Sequence, residues 1–104
     1  MKEIQYIIYL TAESTDRLRV YAQKEKSIIL EFVVQYEARI SAKWRQIVRY
    51  DTAHGFAHKD IMKADGETIK LPLFFETYNL AITYATIDLK ANWKKYRENF
   101  EKGE

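Results

Sequence analysis

Residues 27–40 read Ser27-Ile28-Ile29-Leu30-Glu31-Phe32-Val33-Val34-Gln35-Tyr36-Glu37-Ala38-Arg39-Ile40. Ile28, Leu30, Phe32, Val34, Tyr36, Ala38 and Ile40 alternate with Glu31, Gln35, Glu37 and Arg39. Alternation at period two over such a length predicts a half-buried antiparallel strand. Trp44 to Asp51, rich in β-branched and aromatic residues, reads as the next strand. The connection between them decides the register. A two-residue turn at Ser41-Ala42 would pair Val34 with Arg49 and Tyr36 with Ile47, which brings Arg49 onto the apolar face. A three-residue loop, Ser41-Ala42-Lys43, pairs Ile40 with Trp44, Tyr36 with Val48 and Val34 with Tyr50. The apolar pattern selects the second register, because a slip of one residue reverses every side chain. That loop lacks the glycine such loops favour.

Working outward, Leu18, Val20 and Ala22 alternate with Arg17, Arg19 and Gln23, a strand over Arg17 to Lys24. A loop at Lys24-Glu25-Lys26 would pair Val20 with Leu30 and Leu18 with Phe32. The resulting meander has one apolar face and one carrying Arg17, Arg19, Glu31, Glu37, Arg39, Arg45 and Arg49, where opposite charges meet across strands. Ile4 to Leu10 reads as a fourth strand. In the C-terminal third the period changes. Tyr78, Ile82, Ala85, Leu89, Trp93, Tyr96 and Phe100 recur every three or four residues, the apolar stripe of one helix over 74–100. Pro72 suits its entrance, and Asp88, Asn92, Lys94, Lys95 and Arg97 fall on its outer side. The expected fold class is α+β: an antiparallel β-meander of three or four strands covered on one face by a long C-terminal helix, with 1–104 as a single domain. Trp93 and Leu89 should meet the face made by Leu30, Phe32 and Val34.

Composition narrows the function. The chain has 104 residues, of which 47% are hydrophobic and 31% charged, as in a folded globular domain. Absence of cysteine excludes disulfides, thiolate metal sites and a Cys nucleophile. Three glycines and one proline leave no phosphate-binding glycine loop. No apolar run reaches the ~20 residues that span a bilayer, and the stretch MKEIQYIIYLTAES is too polar for a secretory signal, so a cytoplasmic location is expected. The net charge of +2 exerts little global pull on nucleic acid. Arg39, Lys43, Arg45 and Arg49 nonetheless lie in a stretch without acids, either a solvated strand face or a small phosphate-facing patch.

The candidate chemistry sits in Arg49-Tyr50-Asp51-Thr52-Ala53-His54-Gly55-Phe56-Ala57-His58-Lys59-Asp60, read as a loop that holds both histidines of the chain. Gly55 permits a tight reversal between them. Three readings compete. Asp51 and Thr52 accept backbone hydrogen bonds in a plain turn and the histidines only pack. Alternatively Asp51, His54, His58 and Asp60 hold a metal, although D-x-x-H-x-x-x-H-x-D is not a familiar zinc spacing. Or the imidazoles move protons near neutral pH while an arginine holds a phosphate. A Ser–His–Asp hydrolase is disfavoured, since Ser14, Ser27 and Ser41 lie outside any nucleophile-elbow context.

The run from Val48 to Asp60, with Trp44 before it and Ile87-Asp88-Leu89-Lys90-Ala91-Asn92-Trp93-Lys94-Lys95-Tyr96 after it, resembles a family of short bacterial and archaeal proteins with an RYDTAHGFAHKD-type motif; the match covers residues 27 to 100. More distantly, R-Y-D-x-x-H-G-x-x-H is similar to the R-Y-D-N-x-H-x-x-x-H stretch of TumE-like toxins, the toxin components of toxin–antitoxin pairs and functional relatives of RelE-type ribonucleases. Thr52 stands where that group favours Asn. The resemblance implies a toxin-like, RNA-acting protein, a metal-independent endoribonuclease without cofactor. His54 and His58 would serve as acid and base in either order, oriented by Asp51 or Asp60. Arg49, with Arg45 or Lys59, would hold the phosphate, and Tyr50 or Phe56 would stack a base. RNA, an antitoxin-like protein and a second copy in a homodimer are the expected partners. A non-enzymatic interaction domain and a metal-dependent phosphoesterase are the alternatives.

Overall fold

The computed structural model describes residues 1–103. Six strands form one antiparallel sheet in chain order: β1 (Lys2–Tyr9), β2 (Asp16–Glu25), β3 (Ile28–Ile40), β4 (Lys43–Asp51), β5 (His58–Met62) and β6 (Thr68–Pro72). A 3₁₀ turn, Ala53–Gly55, joins β4 to β5, and one helix, α1 (Tyr78–Lys102), crosses a single face. The class is α+β as expected, but the sheet has six strands rather than three or four. β2 and β3 stand where alternation puts them, and β1 and β4 where β-branched and aromatic content does, each within two residues. β5 and β6 went unread because each has only five residues.

The core lies between β2–β4 and the helix. Leu18, Val20, Phe32, Val34, Tyr36, Val48 and Tyr50 face Ala81, Ala85, Leu89 and Phe100. The small Ala81 and Ala85 let the backbone of α1 come close to the sheet. Phe32 meets Tyr78 edge-on with ring centroids 6.2 Å apart, and Tyr36 meets Trp93 at 6.1 Å. α1 therefore runs the same way as β3. It starts later than expected. Thr77 is its cap, accepting a hydrogen bond from the Leu80 amide, and Gly103 ends it at a left-handed φ of 77°. Pro72 is not at its entrance; it ends β6.

The register carries two corrections, and both are bulges. Between β3 and β4 the connection is the two-residue turn Ser41-Ala42, with both residues at positive φ (52° and 63°), so Ile40 pairs with Lys43 and Ala38 with Arg45. Ile47 is then left without a partner, and the register moves by one to the expected pairs Tyr36–Val48 and Val34–Tyr50. Both registers read from the sequence occur, one on each side of Ile47. As a result Arg45 sits on the helix face over the Phe100 ring, while Trp44 sits on the open face under the Arg17 guanidinium, 3.7 Å from its centroid. Between β2 and β3 the turn is Lys26-Ser27, not Lys24-Glu25-Lys26, so Val20 pairs with Val34 and Leu18 with Tyr36. Leu30 is the unpaired residue there. Ile28 and Leu30 are exposed, and Ile29 packs on the core instead.

Two carboxylates tie the helix to the sheet. Asp16 is buried; it accepts from the Tyr36 hydroxyl at 2.6 Å and from Arg97 at 2.9 Å, and Arg97 also reaches the Arg39 carbonyl. Asp88 accepts from Tyr50 at 2.6 Å and Tyr96 at 2.7 Å. Asp88 and Arg97, expected on the outer side of the helix, thus face the sheet. Replacing Phe32 by Ala should destabilise the fold by roughly 3–5 kcal/mol. Urea unfolding checks this, and a loss below about 1 kcal/mol would show that Phe32 is not at the centre of the core.

Candidate functional site

The segment read as a functional loop is mostly strand. Only 52–57 connect, and His58, Lys59 and Asp60 belong to β5. Because neighbours in a strand point to opposite faces, the motif divides between the two sides of the sheet. The pairs Arg49–Asp60 and Asp51–His58 lie on the open face with Gln35 and Lys70. The pair Tyr50–Lys59 lies under the helix.

On the open face the side chains form a chain of contacts. Arg49 Nε donates to Asp51 Oδ2 at 2.6 Å, and Arg49 Nη1 reaches Gln35 Oε1 at 3.3 Å. Asp51 Oδ1 accepts from the Ala53 amide at 3.1 Å and stands 2.7 Å from His58 Nε2. The same nitrogen lies 3.9 Å from Asp60 Oδ2, which also meets Lys70 Nζ at 3.3 Å. His58 Nδ1 is turned to the Phe56 carbonyl, 3.4 Å away. Both ring nitrogens of His58 therefore point at oxygen atoms of the protein. Asp51, His58 and Asp60 are buried, and one donor atom from each lies within 4.8 Å of the others.

His54 is placed differently. It is exposed at the tip of the turn, with a left-handed φ of 69° beside Gly55 at 83°. That conformation is uncommon for a residue with a Cβ and costs on the order of 1 kcal/mol. Two left-handed residues in succession carry the chain back over the open face, so the His54 ring lies 6.5 Å from the His58 ring. Phe56, half exposed, covers His58 with centroids 5.5 Å apart. Asp51 Oδ1 accepts from the Ala53 amide within the turn, whereas Thr52 Oγ1 accepts from the Phe32 amide of β3 at 3.0 Å.

The sheet thus brings Arg49, Asp51, His54, His58, Asp60 and Phe56 to one place. It does not bring Arg45, Tyr50 or Lys59. Tyr50 is fully buried and cannot stack a base, and Lys59 Nζ is held by Tyr96 and by Asp88 at 3.4 Å. Period-two alternation had already separated Tyr50 from Asp51 and Lys59 from Asp60. Gln35 and Lys70 were missed; Lys70 lies on β6, whose only signal is the Asp65-Gly66 hairpin turn that precedes it. Beside Arg49 the open face has a hollow of about 630 Å³ lined by Ile7, Arg19, Tyr21, Val33 and Gln35.

Residues 1–104 match one family model, described as a domain of unknown function (DUF7718). No curated protein and no solved structure matches the chain. Among the described residues no helix is long and apolar enough to cross a membrane.

The cluster under the helix titrates away from neutrality. Burial, with the Asp88 and Asp16 carboxylates as acceptors, pushes the Tyr50, Tyr96 and Tyr36 hydroxyls well above the ordinary tyrosine value. Burial alone would raise Asp88, but hydrogen bonds from Tyr50, Tyr96 and Asn92, with the Lys59 charge, bring it below the ordinary carboxylate value. For the tyrosines the folded state keeps a proton that the unfolded state loses above about pH 10. Their contribution is complete below that pH and is lost as pH rises beyond it. For Asp88 the contribution is present above about pH 4 and is lost as pH falls through its lower folded value. Unfolding free energy measured between pH 8 and 11 should fall with pH, and Tyr50→Phe should lessen the fall; an unchanged slope would remove Tyr50 from the titration.

Proposed function

We propose that this chain, which belongs to the DUF7718 family, acts on RNA as the toxin-like member of a toxin–antitoxin-type pair, cleaving phosphodiester bonds on the open face of its sheet. The observation that carries the reading is the exposed His54 imidazole 6.5 Å from His58, beside an Arg49–Asp51–His58 chain of contacts. The similarity of R-Y-D-x-x-H-G-x-x-H to the TumE-like motif supports it as well.

Cleavage of RNA needs a base to take the 2′-hydroxyl proton. The 2′-oxygen bonds to phosphorus, the bond from phosphorus to the 5′-oxygen breaks, and an acid gives that oxygen a proton. The products are a 2′,3′-cyclic phosphate and a 5′-hydroxyl. His54 is the base that reaches solvent. His58, held through Nε2 by Asp51, is a positioning residue, and the proton for the 5′-oxygen comes from solvent. Arg49 spends Nε on Asp51 and keeps guanidinium N–H groups for a phosphate. Phe56 at the rim and Tyr21 in the hollow offer stacking surfaces. Arg45, Tyr50 and Lys59 have no part in this reading.

A second reading, a protein-interaction domain, draws on the helix side of β6. Ile69, Leu71, Phe74, Leu80, Tyr84 and Ile87 are exposed there, next to the unpaired backbone edge of β6. An edge of this kind pairs with its own copy in an antiparallel, two-fold manner. Light scattering should then give about twice the chain mass of 12.4 kDa, and Leu71→Glu should halve it. A single-chain mass for the wild type at micromolar concentration removes the homodimer.

For the RNA reading, His54→Ala should lower cleavage of a single-stranded RNA by about 10²–10⁴-fold with the circular dichroism spectrum unchanged. Arg49→Lys should also impair it, because a point charge does not replace a forked donor. Expression of the wild type should arrest growth and His54→Ala should relieve it. If wild type and variant are equally harmless and neither cuts RNA, the interaction domain takes its place.

A further inference from the structure

Asp60 is the anomaly of the open face. Its side chain is nine-tenths buried, and its Oδ1 is the one buried side-chain nitrogen or oxygen among the described residues that has no hydrogen-bond partner. Its Oδ2 has only Lys70, itself 70% exposed, and an imidazole nitrogen at 3.9 Å. A buried carboxylate oxygen with no donor is costly and asks for a cation or a proton. Asp16 and Asp88, two carboxylates that tie the helix to the sheet, have donors on both oxygens, supplied by Tyr, Arg, Thr, Asn and Lys. Asp60 differs from them in kind.

From this we infer that Asp51, His58 and Asp60 form a binding site for one first-row divalent cation of the Zn²⁺ or Mn²⁺ type. The donor set, one imidazole nitrogen with two carboxylates, suits those ions better than Ca²⁺ or Mg²⁺, which favour oxygen alone. Ligand bonds of about 2.0–2.2 Å in a tetrahedron put neighbouring donor atoms about 3.4 Å apart. His58 Nε2 stands 2.7 Å from Asp51 Oδ1 and 3.9 Å from Asp60 Oδ2, distances that bracket this value. The donor atoms of Asp51 and Asp60 lie within 4.8 Å of each other, so the two carboxylates draw together when a cation is bound. The surroundings are those of metal ligands. His58 turns Nδ1 to the Phe56 carbonyl, which sets Nε2 as the free donor once a metal replaces its proton; Arg49 holds the outer oxygen of Asp51. His54, included among the ligands by sequence spacing, is not needed. Its exposed ring, 6.5 Å from His58, stays free for proton transfer.

The site rests on this geometry alone. What the cation does rests on the RNA reading: three protein ligands leave a position for water, and a water on such a cation is acidic enough near neutral pH to be the proton donor that the cleavage requires.

The test is calorimetric titration of the metal-free protein with ZnCl₂ and, separately, MnCl₂, with melting followed in parallel. One ion per chain should bind, and the melting temperature should rise with metal concentration. Asp60→Asn and Asp51→Asn should each weaken binding by more than about 100-fold, beyond the range for loss of an outer partner. His54→Gln should bind as the wild type does. Asp51→Asn also disturbs the contacts with Arg49 and the Ala53 amide, so Asp60→Asn carries the decision; it removes the carboxylate charge and leaves an amide oxygen for Lys70. The inference is overturned if the wild type binds no stoichiometric ion, if Asp60→Asn binds equally well, or if His54→Gln abolishes binding. Binding without RNA cleavage keeps the site and removes the RNA reading. Cleavage that persists in full in excess chelator keeps the RNA reading and removes the cation from it.

Discussion

Ile47 has no partner across the sheet, and the register of β3 against β4 changes by one at that residue. The turn at Ser41-Ala42 alone would send Arg49 and Asp51 under the helix and bring Val48 and Tyr50 out. The extra residue reverses this over the second half of β4. It gives the core Tyr50 and Val48, and it gives the open face the arginine and aspartate that β5 then joins with His58 and Asp60. Ile47 and Val48 are both buried, so the apolar contacts on either side of the irregularity hold it in place. The open-face placement of Arg49 and Asp51, and of His58 and Asp60 through their pairing, follows from that single residue.

The helix is attached by polar contacts as much as by its apolar stripe. Tyr36 with Asp16 and Arg97, and Tyr50 with Asp88, Tyr96 and Lys59, each join a core tyrosine to a carboxylate and a cation. Well-satisfied networks of this sort add little net stability, because desolvation offsets attraction. They do specify where α1 lies along β3. With these contacts confined to the helix side, the opposite side of β4–β5 is free to hold groups that stability does not require. Asp60, short of donors, and His54, in a left-handed conformation, are both on that side.

Much of this was legible in the amino-acid order. The alternation in 28–40 and the stripe from Tyr78 to Phe100 gave the sheet–helix layers, because long periodic segments carry strong signals. The turns were less legible. Ser41, Ala42 and Lys26 are non-glycine turn residues at positive φ, where Asn and Gly are the usual markers. Bulges carry little mark: Leu30 is as apolar as Ile28, Ile29 and Phe32, yet it is exposed at the position that pairing skips. In the site, the letters located the segment, and Arg49, Asp51, His54, His58 and Asp60 do come together. Treating 51–60 as one loop hid the alternation that sends Tyr50 and Lys59 to the other side. Lys70 and Gln35 reach the cluster from the strands on either side through hairpin pairing, which the spacing inside the motif does not show.

The division of β5 between two faces also guards the pairing of the strands. Lys59 ends in a nest of two tyrosines and a carboxylate on one side, and His58 and Asp60 end among an arginine, an aspartate and a lysine on the other. A slip of one residue against β4 would bring Asp60 beside Asp88 and leave Lys59 facing the open side, so both networks would fail together. Four paired residues between β4 and β5 are too few to make such an error costly by themselves. The opposed side chains act as a proofreading device: a short strand with weak local propensity has one alignment in which the charges on both of its faces are answered.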